Sequence, residues 1–192
     1  MTTYQLIMNT SRPIVTVPAT TSLVTVADLK THLLLFGDTS YDTELQDILL
    51  TAEGFISDFL DDYLVSTTVR QNLYAFGDTT LHHKNPTNVV VSYWDANNTA
   101  QVWASSNYVI DTSDVYPTII FDANPTGQST KFANKGYITY DTALTPVPQK
   151  VKSAVLLVAS ELFENRTNSI TGTIVAKLPL SAFRLMQSLR GW

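Results

Sequence analysis

The chain has 192 residues, a formal net charge of −5 and no cysteine. A chain of this length buries about 70% of its unfolded surface, so it needs neither a metal nor a disulfide to hold a core. The lack of cysteine excludes thiol catalysis and thiolate zinc sites, and the acidic charge argues against a broad basic surface for nucleic acid.

The first segment, residues 1–24, is rich in Thr, Val and Pro without a helical period. This pattern predicts an extended arm, either unpaired or with short strand pairing. Its start lacks a basic stretch leading into an apolar core, so we expect no secretory signal and a protein that stays in the cell that makes it. Thr25 and Asp28 then have the spacing of a capping box, which predicts a helix to about Leu35.

The second predicted helix runs from about Asp42 to Tyr63. Its apolar residues recur at three- and four-residue spacings, which places them on one stripe and the acidic residues on the opposite face. The stripe contains Leu45, Ile48, Leu49, Ala52, Phe55, Ile56, Phe59 and Leu60. Gly54 within it costs helix propensity, and we interpret it as the mark of a close helix crossing.

Short β-branched and aromatic runs separated by turn residues fill the chain between Ser66 and Asp141. The intervals are too short for βαβ crossovers, so the runs predict an antiparallel sheet. The predicted strands are 67–74, 89–94, 101–103, 108–111, 118–121 and 137–141. The stretch from Asp95 to Asn98 is typical of a hairpin turn.

A third helix is predicted from Pro148 to about Asn165, with Pro148 in its first turn. Its apolar residues lie on nearly every face, so we expect it to be buried in its own domain, against a neighbouring subunit, or both. It is too short and too closely bracketed by charges to cross a bilayer, and we expect no membrane contact. A loop over 167–181 and a last amphipathic helix from Ala182 to Leu189 complete the chain.

Charge is unevenly distributed along the sequence. Eight acidic residues and one basic residue lie within 31–70, whereas eight basic and three acidic residues lie within 131–192. Folding can join the two regions within one subunit, or copies can meet acidic face to basic face.

Candidate chemistry is sparse. His82 and His83 are adjacent, so on a strand they point to opposite faces, and exposed loop histidines are the better interpretation. The stretch from Asp111 to Asp114 resembles part of a calcium loop but is better explained as a turn that closes a strand. The adjacent Asp61 and Asp62 indicate a solvated surface. We therefore expect no enzyme activity, no metal and no cofactor.

The order of elements carries a resemblance. The capped Leu29-Lys-x-His-Leu33 helix is followed by a long amphipathic helix, then by strands, then by the segment from Val147 to Arg166 and by Leu178-Pro-Leu180. Over about residues 23–190 this pattern resembles the head-tail connector proteins of tailed bacteriophages, which are also called head completion or adaptor proteins.

The resemblance implies an α+β, mainly helical fold: a small helical bundle with an antiparallel β insertion (about 66–141) between its second and third helices. It divides the chain into an arm (1–24), a connector domain (25–166) and a C-terminal loop and docking helix (167–192). It implies a structural virion protein of the neck, made in the host bacterial cytoplasm. Such adaptors form a ring, typically twelvefold, below the portal protein, extend the DNA channel without sequence-specific contacts, and provide the docking surface for a stopper or tail protein.

A ring requires that one face of each copy complement a different face of the next. We therefore predict contacts between copies that join acidic residues of the second helix to basic residues of the third. The predicted inter-subunit residues are Glu44, Asp47, Asp58, Asp61, Asp62, Lys150, Lys152 and Arg166.

The last helix is predicted to dock onto the portal, as the C-terminal segments of similar adaptors do. The predicted portal-binding residues are Leu180, Phe183, Arg184, Met186, Leu189, Arg190 and Trp192. The alternative is that this helix packs back on its own core.

Two other functions remain open at this stage. Aromatic strands that contain Trp94 and Trp103 suit a carbohydrate- or peptide-binding β module, for which both indoles would have to be exposed in a groove. A metal-dependent nuclease is the third alternative, and the sequence offers no ligand set for it.

Overall fold

A computed structural model describes residues 10–165 and 180–187 and divides the chain into two units. The helical unit comprises residues 20–65 and 145–192, and the β unit comprises residues 1–19 and 66–144. The larger part of the β unit, residues 66–144, thus lies in the sequence between the second and third helices, and its smaller part precedes the first helix.

The described residues of the helical unit form four helices: α1 (Val26–His32), α2 (Asp42–Leu60), α3 (Gln149–Glu164) and α4 (Leu180–Gln187). The predicted capping box is present at α1, where the Asp28 backbone N–H donates to Thr25 Oγ1 at 3.1 Å and the Thr25 N–H donates to Asp28 Oδ2 at 3.1 Å. Pro148 is the N-cap of α3, one residue outside the predicted position.

Burial in this unit follows one face of each long helix. Residues of α2 and α3 at three- and four-residue spacings are fully buried and pack the two helices together. They are Leu45, Leu49, Ala52 and Ile56 on α2, and Val151, Ala154, Val155, Val158 and Ala159 on α3. Phe55, predicted on the stripe, is exposed instead. Gly54 does not mark a crossing between described helices, because a Cβ built on it meets no atom of the described residues within 4 Å.

From residue 10 onward, where the structure describes it, the β unit contains two antiparallel sheets where one was predicted. The strands are β1 (Ile14–Val17), β2 (Thr67–Leu73), β3 (Thr79–Thr80), β4 (Thr87–Trp94), β5 (Ala100–Val102), β6 (Tyr108–Asp111), β7 (Thr118–Phe121) and β8 (Gly136–Thr142). The larger sheet has the order β1-β2-β8-β4-β5, and the smaller has the order β3-β7-β6. Part of the predicted arm is therefore a strand, because β1 pairs with β2.

Buried and partly exposed residues alternate along the central strands of the larger sheet and define its two faces. Along β2 and β8 every second residue is buried, which places Val69, Gln71, Ile138 and Tyr140 on the inner face. The predicted hairpin joins β4 to β5, and Asp95 Oδ1 closes its turn by accepting from the N–H groups of Asn97 and Thr99, each at 2.9 Å.

The prediction of a mainly helical fold is wrong. Of the described residues, 31% are helical and 26% lie in strands, so the fold is a mixed α+β one with two sheets. The helices are shorter than their apolar patterns suggested, because Leu34 and Asp61 adopt left-handed conformations that end α1 and α2. Strand β3 adds pairing that the sequence pattern did not assign.

Candidate assembly surfaces

The predicted acidic surface lies along α2. Glu44, Asp47, Asp58 and Asp61 are exposed, and Asp62 is half-buried, with its Oδ1 accepting from the Tyr63 N–H at 2.9 Å. Burial raises the pKa of Tyr63, and the negative charges of Asp58, Asp61 and Asp62 raise it further. Three carboxylates therefore act on one phenol at the C-terminal end of the helix.

This placement opposes the helix dipole. The C-terminal end of a helix carries partial negative charge and favours cations, yet α2 has no basic residue in its last turn and ends with Asp58 and the C-cap Asp61. Carboxylates there raise the free energy of the folded chain. A cation brought to this end would lower it.

The predicted basic surface begins at the N-terminal end of α3. Lys150 is exposed and Lys152 is half-buried in the first turn, which has no acidic residue, although the N-terminal end of a helix favours anions. Hydrogen bonds from Thr25 lower the pKa of Asp28, and the charge of Lys152 lowers it further. Lys152 is thus close to one carboxylate of its own chain. Arg166 lies outside the described residues.

A groove in the helical unit runs between α1 and α3. It has a volume of about 430 Å³. Three apolar residues and five polar residues line it: Leu23, Val24 and Leu156, and Asp28, Thr31, His32, Gln149 and Lys152. We call it the α1–α3 groove.

The C-terminal helix α4 packs on α3 and α2. Phe183 is half-buried and meets Phe59 edge-to-face with ring centroids 5.7 Å apart, whereas Arg184 is exposed. The backbones of Leu180 and Met186 lie in this helix. The remaining predicted portal-binding residues, Leu189, Arg190 and Trp192, lie outside the described residues.

Glu53 does not belong to the acidic surface, contrary to the prediction that the acids of α2 face away from the core. Its side chain is only 6% exposed, and Oε1 accepts from the N–H groups of Leu23 at 2.6 Å and Val24 at 3.3 Å. Burial raises the pKa of this carboxyl, and the two hydrogen bonds oppose that rise. A signal was present, because Glu53 follows Leu49 by four residues and precedes Ile56 by three, which places it on the buried stripe.

The candidate chemical residues take structural positions. His83 is half-buried, not exposed as predicted, and its Nδ1 lies 3.1 Å from the Tyr140 hydroxyl; His82 is exposed. Asp111 ends β6 and accepts from the Ser113 N–H at 2.9 Å, as expected of a turn. Among the described residues, no group of three or more His, Asp or Glu is placed to hold a metal, and no helix there is long and apolar enough to span a bilayer.

The two tryptophans of the β unit are packed against other rings. Trp94 lies 5.0 Å from Phe132 and 5.7 Å from Tyr137, and Trp103 lies 5.4 Å from Tyr93, as centroid distances. Both indole Nε1 atoms are buried without a hydrogen-bond acceptor in the described part of the chain. Both tryptophans are half-buried.

Comparison with solved structures identifies chains of the same fold. One belongs to the virion of a native gene transfer agent (GTA) particle, with 18% identity and a TM-score of 0.70 over 94% of this chain and 95% of that one. A second is from the neck of an empty GTA particle computed with C6 symmetry, with 20% identity and a TM-score of 0.65 over 94% and 95%. A third is from the neck of a native GTA particle computed with C12 symmetry, with 19% identity and a TM-score of 0.60 over 86% and 87%.

At these identities the likeness establishes the fold. It confirms, at that level, the resemblance to neck proteins of phage-like particles. No protein-family model matches the sequence, and no curated protein does.

Proposed function

We propose that this chain is a structural protein of a virion neck, where it forms a ring below the portal and continues the DNA channel toward the tail. The observation that carries the proposal is the likeness to neck structures over 94% of this chain and 95% of the matching chain. Both units of the chain are thus covered, so the likeness is not confined to one common motif.

Ring formation would explain why α2 and α3 each carry charges that are unfavourable next to their own helix dipole. A ring contact is heterologous, so one surface of each copy meets a different surface of the next. The carboxylates at the C-terminal end of α2 and the lysines at the N-terminal end of α3 each oppose their own helix dipole. We propose that these two ends meet between neighbouring copies, which would relieve both.

A charge swap tests this contact. Asp58→Lys with Asp61→Lys should abolish ring assembly, and Lys150→Glu with Lys152→Glu should do the same. The two doubly substituted proteins, mixed, should associate with each other, and association of the natural protein should weaken as salt is raised. Rings that tolerate either charge reversal, with unchanged salt sensitivity, would show that other residues make the contact.

We further propose that α4 and the residues after it dock onto the portal. Phe183 is held against Phe59, so the exposed Arg184 is the better residue to test. Arg184→Glu should leave stability within about 0.5 kcal/mol, as surface substitutions do, yet weaken portal binding. Arg12→Glu, an exposed arginine of the β unit, is the control. Equal portal binding by the natural protein, the Arg184 variant and a chain truncated at Leu178 would refute the docking role.

The net charge suits a channel that passes DNA without holding it. At −5, the chain repels phosphates on average, which prevents tight contacts along the path. No role in catalysis is proposed.

The principal experiment is electron microscopy of the purified protein, alone and mixed with the portal protein. We expect closed rings with sixfold or twelvefold symmetry that stack on the portal. A protein that stays monomeric under both conditions, or that is absent from the portal–tail junction of the particle, would refute the proposal. A glycan and peptide array tests the alternative β module, which the packing of Trp94 and Trp103 disfavours.

A further inference from the structure

The loop that joins α1 to α2, residues 33–41, exposes two large apolar side chains. Leu34 is 73% exposed and Phe36 is 72% exposed. Neighbouring exposed apolar groups of this size are typical of contact sites, whereas single ones are not. We call this segment the α1–α2 loop.

The backbone of the α1–α2 loop is held in a costly conformation. Leu34 has φ +60°, and the Leu35 N–H donates to Lys30 O at 2.9 Å while the Leu34 N–H donates to Thr31 O at 3.3 Å. This is a Schellman motif whose left-handed position is normally glycine. A leucine there is strained and gains almost no burial within its own chain, so packing of the described chain does not account for it.

Other contacts fix the same loop. Lys30 Nζ lies 2.7 Å from Asp42 Oδ1, which ties the end of α1 to the start of α2, and Asp38 Oδ1 accepts from the Ser40 N–H at 2.8 Å. A rigid loop loses little conformational entropy when it is bound. These contacts hold the loop in place while Leu34 and Phe36 stay exposed.

We propose that the α1–α2 loop of one copy inserts Leu34 and Phe36 into the α1–α3 groove of the next copy in the ring. The inference rests on the proposed function, because it supplies a contact through which that ring closes. The groove volume of about 430 Å³ falls within the roughly 300–1,000 Å³ of pockets that enclose small ligands, so it has room for two side chains.

The chemistry of the two surfaces is complementary. Leu23 and Leu156 of the groove would meet the two apolar side chains, and His32 and Gln149 would offer hydrogen-bond donors to Asp38, which follows Phe36 by two residues. The groove also contains Asp28, whose carboxylate is engaged by the Thr25 hydroxyl at 2.6 Å. Loop and groove are separate sets of residues in one unit, as a heterologous contact requires.

The absence of cysteine permits a direct cross-linking test. Phe36→Cys with Leu156→Cys, oxidised at ring-forming concentration, should give a ladder of covalent oligomers that ends at the ring number. Each single variant should stay monomeric on a denaturing gel. Val102→Cys with Leu156→Cys is the matched control, since Val102 is an equally exposed apolar residue of the β unit, at 70%, and should give no ladder.

A second test uses the strain at Leu34. Leu34→Gly should raise the melting temperature of the unassembled protein by about 1–4 °C, because glycine adopts positive φ freely. The same substitution should raise the concentration for half-assembly at least about tenfold, because an inserted anchor is lost. Leu50→Ala, which truncates another exposed leucine of the helical unit, should leave that concentration unchanged.

The outcomes separate this inference from the proposed function. Rings that form without a Phe36–Leu156 cross-link, or that tolerate Leu34→Gly, would overturn the loop insertion and leave the neck function standing. A cross-link confined within one chain, or a disulfide-linked dimer from the Phe36 single variant, would also overturn it. Failure of the natural protein to form rings, alone or with portal, would overturn both.

Discussion

Glu53 provides the sharpest test of how the helical unit is held together. Its carboxylate is buried on α2, and Oε1 accepts the N–H groups of Leu23 and Val24, which precede the capped start of α1. Glu53→Leu leaves both donors without an acceptor. At about 1–3 kcal/mol for each unsatisfied buried donor, with the 3.3 Å bond the weaker, the free energy of unfolding should fall by about 2–4 kcal/mol.

Glu53→Gln separates hydrogen bonding from charge. Glutamine keeps the oxygen acceptor and the side-chain size, so at pH 7 it should differ from the natural protein by less than about 1 kcal/mol. Because burial raises the pKa of Glu53 above 4.5, the folded chain binds this proton more tightly than the unfolded chain. Stability from this group is fully present below pH 4.5 and is lost as pH rises through the raised pKa. Glu53→Gln should remove this loss of stability with rising pH, because glutamine does not ionise.

The assay is urea unfolding, followed by circular dichroism from pH 4 to pH 7, on three variants. Asp47→Asn is the matched control, because Asp47 is an exposed carboxylate on the same helix and should change stability by less than about 0.5 kcal/mol. A Glu53→Leu variant as stable as the Gln variant would refute the role of the two hydrogen bonds. An unchanged pH dependence in Glu53→Gln would refute the assigned protonation.

Three further substitutions test the fold. Gly54→Ala should raise the free energy of unfolding by about 0.5–1 kcal/mol in a thermal melt, because Gly54 lies inside α2 with nothing within 4 Å of an added Cβ; a loss of stability would show that the site is crowded. Gly136→Ala should lower the free energy of unfolding by about 2 kcal/mol or more, because Gly136 begins β8 and an added Cβ would lie 2.2 Å from the Ser92 carbonyl oxygen of β4. A neutral result would contradict that close approach. Thr25→Ala should cost about 1 kcal/mol by removing the cap of α1, while Thr25→Ser should not. Hydrogen bonds from Thr25 lower the pKa of Asp28, so the ionised Asp28 carboxylate stabilises the fold above pH 3.8, and this stability is lost as pH falls through the lowered pKa. Thr25→Ala should therefore weaken the dependence of stability on acid pH.

Local signals in the sequence determined much of the fold. The capping box at Thr25, the apolar period of α2, the hairpin turn after Trp94 and six of the strands follow from interactions between residues close in sequence. Each depends on backbone geometry or on a repeat of two or 3.6 residues, so the chain displays it without tertiary information. The acidic and basic segments were visible for the same reason.

Tertiary structure decided the rest. Strand β1 pairs with β2 across more than fifty residues of chain, and Glu53 is buried because the distant backbone of Leu23 and Val24 offers it two donors. The end of α1 at Leu34 and the exposure of Phe36 depend on a left-handed turn that an apolar pattern does not mark. Periodicity indicates which faces are apolar, but residues far along the chain decide which of these faces are covered. In the part of the chain that the structure describes, Leu34 and Phe36 of the α1–α2 loop stay exposed.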